Sequence, residues 1–305
     1  DLWVEDDVST DSFWLPPKIL ALIEEKSDLP AIPEIVIRIT SMVNEADCTL
    51  NEISKLIKTD PSLSARIVQV ANSAFYGSGL MEISDVQTSV TRLGLLQLRN
   101  IVLAFSVLKQ FESVKLINKQ QFWIHSFVVA QISKSLAKLL GQPEEVQEQA
   151  YMAGLMHDIG IVVMTYILPD IYERLLRIKT GRSIKNSHST LQDEEIHVFK
   201  TNHAAIGAAY IRHWWPVDEV IVAAVGNHHG SVRSKNNSII DNVIIAANIY
   251  CQSMGLDNSV NFAVNPSEFD REIFRLISLT DPQIEEFINN FESEVESAEM
   301  IMSSG

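Results

Sequence analysis

The stretch AYMAGLMHDIGIVVM, residues 150–164, decides the fold because it sets two ionisable residues, His157 and Asp158, inside an apolar run. The small residue Gly154 precedes the pair and allows another helix to approach closely, while Gly160 after it is an expected helix stop. A buried polar group without a partner costs about 2–7 kcal/mol. We therefore expect a core helix here, with polar residues from elsewhere in the chain packed against His157 and Asp158.

On both sides of this stretch, apolar residues recur at the spacing of three and four that is typical of amphipathic helices, with little period-two alternation. Thr49 with Glu52 fits a capping box, and Asp60-Pro61 marks another helix start. Residues 76–79 (YGSG) are predicted as a loop. Further helices are predicted over residues 84–92, 95–111, 119–140, 145–157, 161–178, 201–214, 217–229, 239–254 and 267–277. The sequence therefore predicts an all-α fold.

The segment after Pro282 differs in composition from the rest, with six Glu and no Lys or Arg. Phe287, Phe291 and Val295 recur in it at helical spacing. Two interpretations stay open: a helix that docks its apolar face on the body of the protein, or a helix that binds a partner or links to another domain.

Length and composition restrict the class of function. A chain of 305 residues with 46% apolar residues can bury a substantial core. Its net charge of −15 argues against coating a nucleic acid, because neutralising phosphates requires clustered Lys and Arg. We expect no nucleic-acid partner, although a small anionic ligand such as a nucleotide could bind at a metal or a local basic pocket.

Several features favour a cytoplasmic protein. Two cysteines, Cys48 and Cys251, argue against a disulfide framework and suit a reducing compartment. Residues 1–11 are acidic and lack the positive region of a signal peptide. The most apolar window, residues 154–168, is too short to span a bilayer. We expect no membrane partner.

Metal ligation is suggested by five of the eight histidines, which occupy apolar or helix-end settings: His125, His157, His203, His228 and His229. Each one alone has an ordinary explanation, as a hydrogen-bonded core imidazole or as a residue that complements a helix dipole. Together they would leave several buried imidazoles without partners, which a bound cation satisfies at once. Asp158 adds negative charge and can bridge two ions.

The type of ligand restricts the metal. Imidazole with carboxylate favours iron, manganese or zinc, whereas magnesium or calcium would require mostly oxygen ligands. His203 lies near a helix start, where the helix dipole should keep the imidazole neutral and able to bind metal. Three histidines lie in a polar stretch or off the helical face and are predicted not to be ligands: His188, His197 and His213.

The spacing of the five histidines and Asp158 resembles the HD superfamily of metal-dependent phosphohydrolases. In its cyclic-dinucleotide phosphodiesterase branch, the HD-GYP domains, the matching positions bind two or three metal ions. Segments of the first half are similar to hallmarks of the HDOD family: LPAIPE (29–34), IKTDPS (57–62), VANSAFYG (70–77) and TRLG (91–94). The resemblance covers about residues 15–255. It implies a role in bacterial signal transduction, in a family mostly thought to have lost the hydrolase chemistry.

The resemblance also implies a domain organisation, with an N-terminal helical bundle packed on an HD-like helical subdomain that binds the metal. The expected ranges are residues 1–14 for an N-terminal tail, 15–115 for the bundle, 116–255 for the HD-like subdomain and 256–305 for a C-terminal helical extension.

Carried over position by position, the resemblance implies six metal ligands for one or two divalent cations: His125, His157, Asp158, His203, His228 and His229. Three positions depart from the phosphodiesterase pattern. Asn248 stands at the final Asp ligand, Gln121 at a Glu that some members use for a third metal, and Ile161 at a Lys. The Gly-Tyr-Pro motif is also absent, and residues 231–235 take its place. Asn248 and Gln121 are therefore expected to be outer or weak ligands.

Two functions stay open. The first is a regulatory module that binds signalling proteins, with the metal as a structural or sensory element. The second is an active metal-dependent phosphohydrolase or phosphodiesterase acting on a (cyclic) nucleotide, in which Asp158 would be the catalytic residue. The missing Lys and the missing last carboxylate favour the first, because hydrolysis requires positive groups near the phosphoryl oxygens. A di-iron redox or oxygen-binding site is a third, less favoured alternative.

Overall fold

The structure, a computed structural model, describes residues 15–25, 34–43, 48–77, 81–110, 116–181, 190–215, 217–232, 234–260 and 271–303. Every secondary-structure element within these ranges is a helix, which confirms the predicted all-α fold. The helices are α1 (Pro17–Glu25), α2 (Glu34–Val43), α3 (Leu50–Ile57), α4 (Pro61–Asn72), α5 (Ala74–Gly77), α6 (Val86–Leu93), α7 (Leu95–Gln110), α8 (Lys119–Leu139), α9 (Glu144–Met156), α10 (Ile159–Ile167), α11 (Pro169–Gly181), α12 (Leu191–Phe199), α13 (His203–Trp214), α14 (Glu219–Asn227), α15 (Ile239–Ser253), α16 (Glu272–Leu276) and α17 (Asp281–Ser303). We refer to α1–α7 as the N-terminal bundle and to α8–α15 as the C-terminal bundle.

Two helices of the N-terminal bundle begin at the predicted capping signals. The Thr49 hydroxyl accepts from the Glu52 N–H at 3.3 Å, and the Glu52 carboxylate accepts from the Thr49 N–H at 3.1 Å, which starts α3. Asp60 Oδ1 accepts from the Leu63 N–H at 3.1 Å and starts α4. These side chains bond backbone N–H groups that have no partner within the helix, so the local sequence alone sets both starts.

Two side chains from the hallmark segments hold the end of α4 to the chain that enters α6. Asn72 donates from Nδ2 to the Ile83 carbonyl at 2.6 Å and accepts from the Ile83 N–H at 2.8 Å. The Arg92 guanidinium donates to the carbonyls of Ala71 at 3.0 Å and Met81 at 2.7 Å. These residues therefore have a structural role, because they bond backbone groups that no helix satisfies.

The loop predicted over residues 76–79 is wrong in its first half. Residues Ala74–Gly77 form the one-turn helix α5, which is closed by a bond from the Gly77 N–H to the Ser73 carbonyl at 2.7 Å. Residues 78 and 79 lie outside the described residues. A single turn is too short to produce the periodic apolar pattern from which a helix is predicted.

Helices α8 and α9 form an antiparallel pair in the C-terminal bundle. At one end His125 of α8 lies beside His157, the residue that ends α9. At the other end Lys134 of α8 lies beside Glu148 of α9. The order of these contacts is opposite along the two helices, so the pair has an end that carries histidines and an end that carries an ion pair.

Close packing within the C-terminal bundle depends on glycine. A Cβ atom on Gly160 would lie 1.8 Å from the His203 carbonyl oxygen, so α10 and α13 pack at a distance that only glycine allows. A Cβ atom on Gly154 would lie 2.8 Å from the Cα of Ala130, between α9 and α8. The predicted helix stop at Gly160 is wrong, because this residue lies in the first turn of α10 and is required there by packing.

The helix predicted over residues 161–178 is wrong in its extent. It is divided into α10 and α11 at Leu168, whose φ of −132° and ψ of 52° are not helical. The cause is Pro169, since a proline disfavours helical backbone at the preceding residue. Helix α12 was not predicted, because it is mostly polar in sequence and shows a weak apolar stripe.

A buried polar group, which we call the polar joint, connects the two bundles. Lys134 Nζ lies 2.5 Å from Glu148 Oε1 and donates to Gln97 Oε1 of α7 at 2.9 Å. Asn100, also on α7, donates from Nδ2 to Glu148 Oε2 at 2.7 Å. A buried ion pair contributes little net stability but requires all its partners. The polar joint therefore sets the position of α7 on the α8–α9 pair.

The C-terminal helix α17 docks its apolar face on the body of the protein. Ile284, Phe287 and Phe291 are buried, and the last two rings lie 5.4 and 5.0 Å from the ring of Tyr250. This confirms the docking interpretation. Binding of a partner to the acidic face of α17 stays a prediction.

One apolar stretch among the described residues, Glu144–Ile167, has the length and composition of a membrane-spanning helix, but 94% of its apolar window is buried inside the protein. It consists of α9 and α10, which pack against α8 and α13. Packing in the core accounts for its composition.

We expect Gly160→Ala to lower the free energy of unfolding by more than about 3 kcal/mol, because the added methyl group collides with the backbone of α13. Gly207→Ala is a graded control. Its Cβ atom would lie 3.0 Å from Gly160 N and 3.2 Å from Ile159 Cγ2, so a loss of about 1–3 kcal/mol is expected. Urea unfolding followed by circular dichroism measures both. Wild-type stability of Gly160→Ala would contradict the close packing of α10 on α13.

Candidate metal centre

The five predicted histidine ligands meet around the buried carboxylate of Asp158. They come from α8, from the junction of α9 and α10, from the start of α13 and from the end of α14. They form two groups whose ligating atoms lie within 4.8 Å of one another: His203, His228 and His229 with Asp158, and His125 and His157 with the same Asp158. We call these groups the first position and the second position. Each could hold a metal ion.

At the first position, Asp158 Oδ1 lies 3.4 Å from the Nε2 atoms of both His203 and His228. His229 Nε2 lies 2.7 Å from His203 Nε2. Asp158 Oδ1 and His228 Nε2 are buried and make no hydrogen bond within the described part of the chain. Buried polar atoms without a partner are costly, so a group that binds between them would stabilise the site.

At the second position, Asp158 Oδ2 lies 3.1 Å from His157 Nε2 and 3.6 Å from His125 Nε2. The two imidazole nitrogens are 3.2 Å apart. All three side chains are fully buried. This position therefore offers three ligand atoms against four at the first.

Backbone carbonyls orient three of the imidazoles, each bonded to the Nδ1 atom. The three bonds are His125 to Leu256 at 2.7 Å, His157 to Gly154 at 2.6 Å and His228 to Val225 at 2.6 Å. Since a carbonyl oxygen only accepts, each Nδ1 carries the hydrogen. In its neutral form, each of these imidazoles presents the lone pair of its Nε2 toward Asp158.

Atoms that only accept therefore face one another. The lone pairs of His125 and His157 are directed at each other across 3.2 Å, beside an oxygen of Asp158. Such atoms repel in a buried site unless positive charge lies between them. Neutral imidazole with carboxylate is a ligand set that divalent metals prefer. The residues at both positions fit a divalent cation.

A carboxylate orients the fourth imidazole. Glu195 of α12 is fully buried, and its Oε2 accepts from the backbone N–H of His203 at 2.9 Å and lies 2.6 Å from His203 Nδ1. The Tyr172 hydroxyl donates to Glu195 Oε1 at 2.7 Å. A carboxylate on the far nitrogen of a metal-binding imidazole fixes the ring and makes it a stronger ligand. The sequence did not indicate Glu195, which lies in an unpredicted helix.

Burial sets the charge of most of these groups. Burial, together with the nearby His157, lowers the pKa of both His125 and His228 to about 4. Burial also lowers the pKa of His229 well below its usual range. For Asp158, burial alone would raise the pKa, but the surrounding imidazoles hold it well below its ordinary value. The site thus presents an ionised Asp158 carboxylate and neutral imidazoles at His125, His228 and His229.

His203 is different, and the expectation that it is neutral is wrong. Burial alone would lower its pKa, but the carboxylates of Glu195 and Asp158 outweigh burial and raise the pKa to about 10. The effect of the helix N-terminus is smaller than that of two adjacent negative charges. A cation at Nε2 would replace the proton there, because metal binding displaces protons from its ligands.

The two residues expected to be weak or outer ligands both bond other side chains. Asn248 Oδ1 accepts from Gln252 Nε2 at 3.0 Å, and Gln121 Nε2 donates to Asp257 Oδ1 at 2.7 Å. Their role as outer ligands stays a prediction.

An unexpected residue, Asn258, contacts the carboxylate directly. It is fully buried and donates from Nδ2 to Asp158 Oδ2 at 2.5 Å. It lies beyond the end of α15, where no sequence pattern indicates a contact with the centre.

Two of the three histidines predicted not to be ligands lie in the described part of the chain. His197 and His213 have exposed side chains on α12 and α13. His188 lies outside the described residues.

An open cavity of about 230 Å³ lies beside His125. It is lined by residues from the start of α8 and from the chain after α15: Asn118, Gln120, Gln121, Ile124, His125, Gly255, Leu256 and Asp257. Pockets that bind small molecules usually measure about 300–1,000 Å³. The cavity is therefore small for a nucleotide.

Comparison with known protein families identifies the family of the chain. The sequence model of the HDOD domain matches residues 29–231, more than half of the chain. The chain belongs to the HDOD family. This confirms the resemblance drawn from the hallmark segments.

Known structures share the fold of this HDOD chain. An HDOD domain protein of unknown function from Geobacter sulfurreducens is 26% identical, with a TM-score of 0.72 and coverage of 92% of this chain and 97% of that one. A protein from Shewanella amazonensis SB2B whose name suggests a phosphohydrolase is 23% identical, with a TM-score of 0.70. The match covers 92% of this chain and 98% of that one.

A curated relative from Treponema pallidum (strain Nichols), an uncharacterized protein, is 27% identical over 218 residues. The match covers 70% of this HDOD chain and 40% of the relative, so the chain spans about two fifths of the relative's length.

We expect Glu195→Gln to weaken divalent metal binding by about 10- to 100-fold, because the amide is a poorer acceptor for the His203 N–H and no longer strengthens the imidazole as a ligand. Glu194→Gln, a change of the same type at the next residue of α12, is the control and should keep wild-type affinity. Titration with Mn²⁺ or Zn²⁺ measures both. Equal affinities would show that Glu195 does not act on the centre.

Proposed function

We propose that this HDOD chain is a regulatory module of bacterial signal transduction whose C-terminal bundle holds one or two divalent cations around Asp158. The observation that carries the proposal is the set of buried, acceptor-only atoms that face one another: Asp158 Oδ1 with His228 Nε2, and His125 Nε2 with His157 Nε2. A cation placed between these atoms turns their mutual repulsion into attraction.

The first position is the better ligand set. His203, His228, His229 and one oxygen of Asp158 would hold a cation there, and Glu195 makes His203 a stronger ligand. The second position would use His125, His157 and the other oxygen of Asp158. Imidazole and carboxylate favour iron, manganese or zinc. A bound cation would act as a Lewis acid toward an anionic ligand and would cross-link α8, α10, α13 and the end of α14.

A regulatory role is favoured by what surrounds the centre. Ile161, at the position where related phosphodiesterases have Lys, is a fully buried apolar side chain of α10 and brings no positive charge. Phosphoryl transfer requires such charge. The helical surface, including the acidic face of α17, would bind signalling proteins in the cytoplasm. A protein of similar fold from Marinobacter aquaeolei VT8 has a name that suggests a signal transduction protein.

The second candidate function is a metal-dependent phosphohydrolase or phosphodiesterase acting on a (cyclic) nucleotide. Two cation positions that share one carboxylate favour it, because paired cations can stabilise both the attacking and leaving oxygens. Here Asp158 would be the catalytic residue, and the cavity beside His125 would have to widen to admit the substrate.

Metal content tests the centre. We expect protein purified without added metal to contain up to two equivalents of iron, manganese or zinc by elemental analysis. Asp158→Asn should reduce the content to a trace, because the amide removes the negative charge that both positions share. His213→Ala, an exposed histidine of α13, is the matched control and should keep the wild-type content. Full metal in Asp158→Asn would refute the assignment.

Turnover separates the two functions. We expect no hydrolysis of cyclic dinucleotides or generic aryl phosphodiesters by the protein loaded anaerobically with iron or manganese, measured by product chromatography. The physical reason is the missing positive charge at Ile161. Turnover that disappears in Asp158→Asn would instead establish the hydrolase function.

A further inference from the structure

The chain that follows α15 crosses the metal centre, and we call residues 256–260 the strap. Its contacts with the start of α8 hold it at three points: Leu256 carbonyl to His125 Nδ1 at 2.7 Å, Asp257 Oδ1 to Gln121 Nε2 at 2.7 Å, and Ser259 Oγ to Asn118 N at 3.2 Å. Together these contacts fix the strap directly over His125.

Asn258 is the residue of the strap that reaches the carboxylate. Its side chain is fully buried, and its Oδ1 accepts from the Val260 N–H at 3.2 Å. Because the backbone N–H needs an acceptor, this bond assigns the amide orientation and directs the NH₂ group at Asp158 Oδ2, 2.5 Å away.

The two oxygens of Asp158 are therefore in different states. Oδ1 faces His203 and His228 and makes no hydrogen bond within the described residues. Oδ2, which faces His157 and His125, already accepts the Asn258 N–H. The amide hydrogen occupies one of the two lone pairs of Oδ2, and its partial positive charge weakens binding of a cation at the other. The first position is open to a cation, and the second is obstructed.

We propose that Asn258 closes the second position, so that the chain binds one divalent cation at the first position until the strap withdraws. The inference rests on the proposed function, and it names how the number of cations is regulated. The cavity beside His125 is lined by Leu256 and Asp257 of the strap, so withdrawal would join the cavity to the second position. The strap thereby controls both the second cation and access to Asp158.

Metal stoichiometry tests this. The full chain is stripped with chelator, reloaded with Mn²⁺ and desalted, and manganese per chain is measured by plasma mass spectrometry. Electron paramagnetic resonance detects spin-coupled manganese pairs. We expect one equivalent without a pair signal for the wild type. Asn258→Ala and Asn258→Asp should approach two equivalents with a pair signal, since the first removes the N–H and the second adds a carboxylate ligand.

Asn100 provides the matched control. Like Asn258 it is fully buried and donates from Nδ2 to a carboxylate oxygen, Glu148 Oε2 at 2.7 Å, but this carboxylate belongs to the polar joint, where it contacts Lys134. Asn100→Ala and Asn100→Asp should stay at one equivalent. Thermal unfolding by circular dichroism identifies variants that keep the fold.

Each manganese stoichiometry either supports or overturns the role of Asn258. Two equivalents in the wild type, or folded Asn258 variants that stay at one, would overturn the role of Asn258 and leave the metal centre standing. No bound manganese in the wild type would overturn the metal centre and this inference together. The wild-type stoichiometry remains decisive even if a variant fails to fold.

Discussion

The fold depends on a carboxylate, Asp158, that is completely removed from water and surrounded by imidazoles. An ionised carboxylate in a protein core is tolerated only when charge and hydrogen-bond donors surround it. The helices that deliver these groups must therefore all be in position together. Gly160 contributes to this placement, because its lack of a side chain lets α13 pack closely on α10 and places His203 beside Asp158.

The α8–α9 pair connects this centre to the rest of the molecule. On α8, Lys134 lies nine residues after His125, and Glu148 lies nine residues before His157. The polar joint and the centre therefore lie at opposite ends of one pair of helices. At 1.5 Å per residue the separation is about 14 Å. A change in the spacing of α8 and α9 at the centre would move Lys134 and Glu148, and through the polar joint it would shift α7. A regulatory module could use this path to couple its two bundles.

Much of the site was predicted from residue type and helical spacing. Apolar neighbours placed His125 and His157 inside the core, where both are fully buried, and capping signals located helix starts such as Thr49. The exceptions have one cause. Glu195 and Asn258 reach the centre from segments whose apolar pattern is weak or absent, and Glu195 then reverses the expected charge of His203.

The sequence by itself determined the helical class, the family and the residues with metal-binding chemistry, because these depend on local spacing and on side-chain type. Only the tertiary structure decided which groups bond the far side of three ligands: a carbonyl for His125, a carboxylate for His203, and an amide on Asp158. Those contacts join residues up to 131 positions apart, and a pairing over such distances is set by helix packing and leaves no local pattern in the chain.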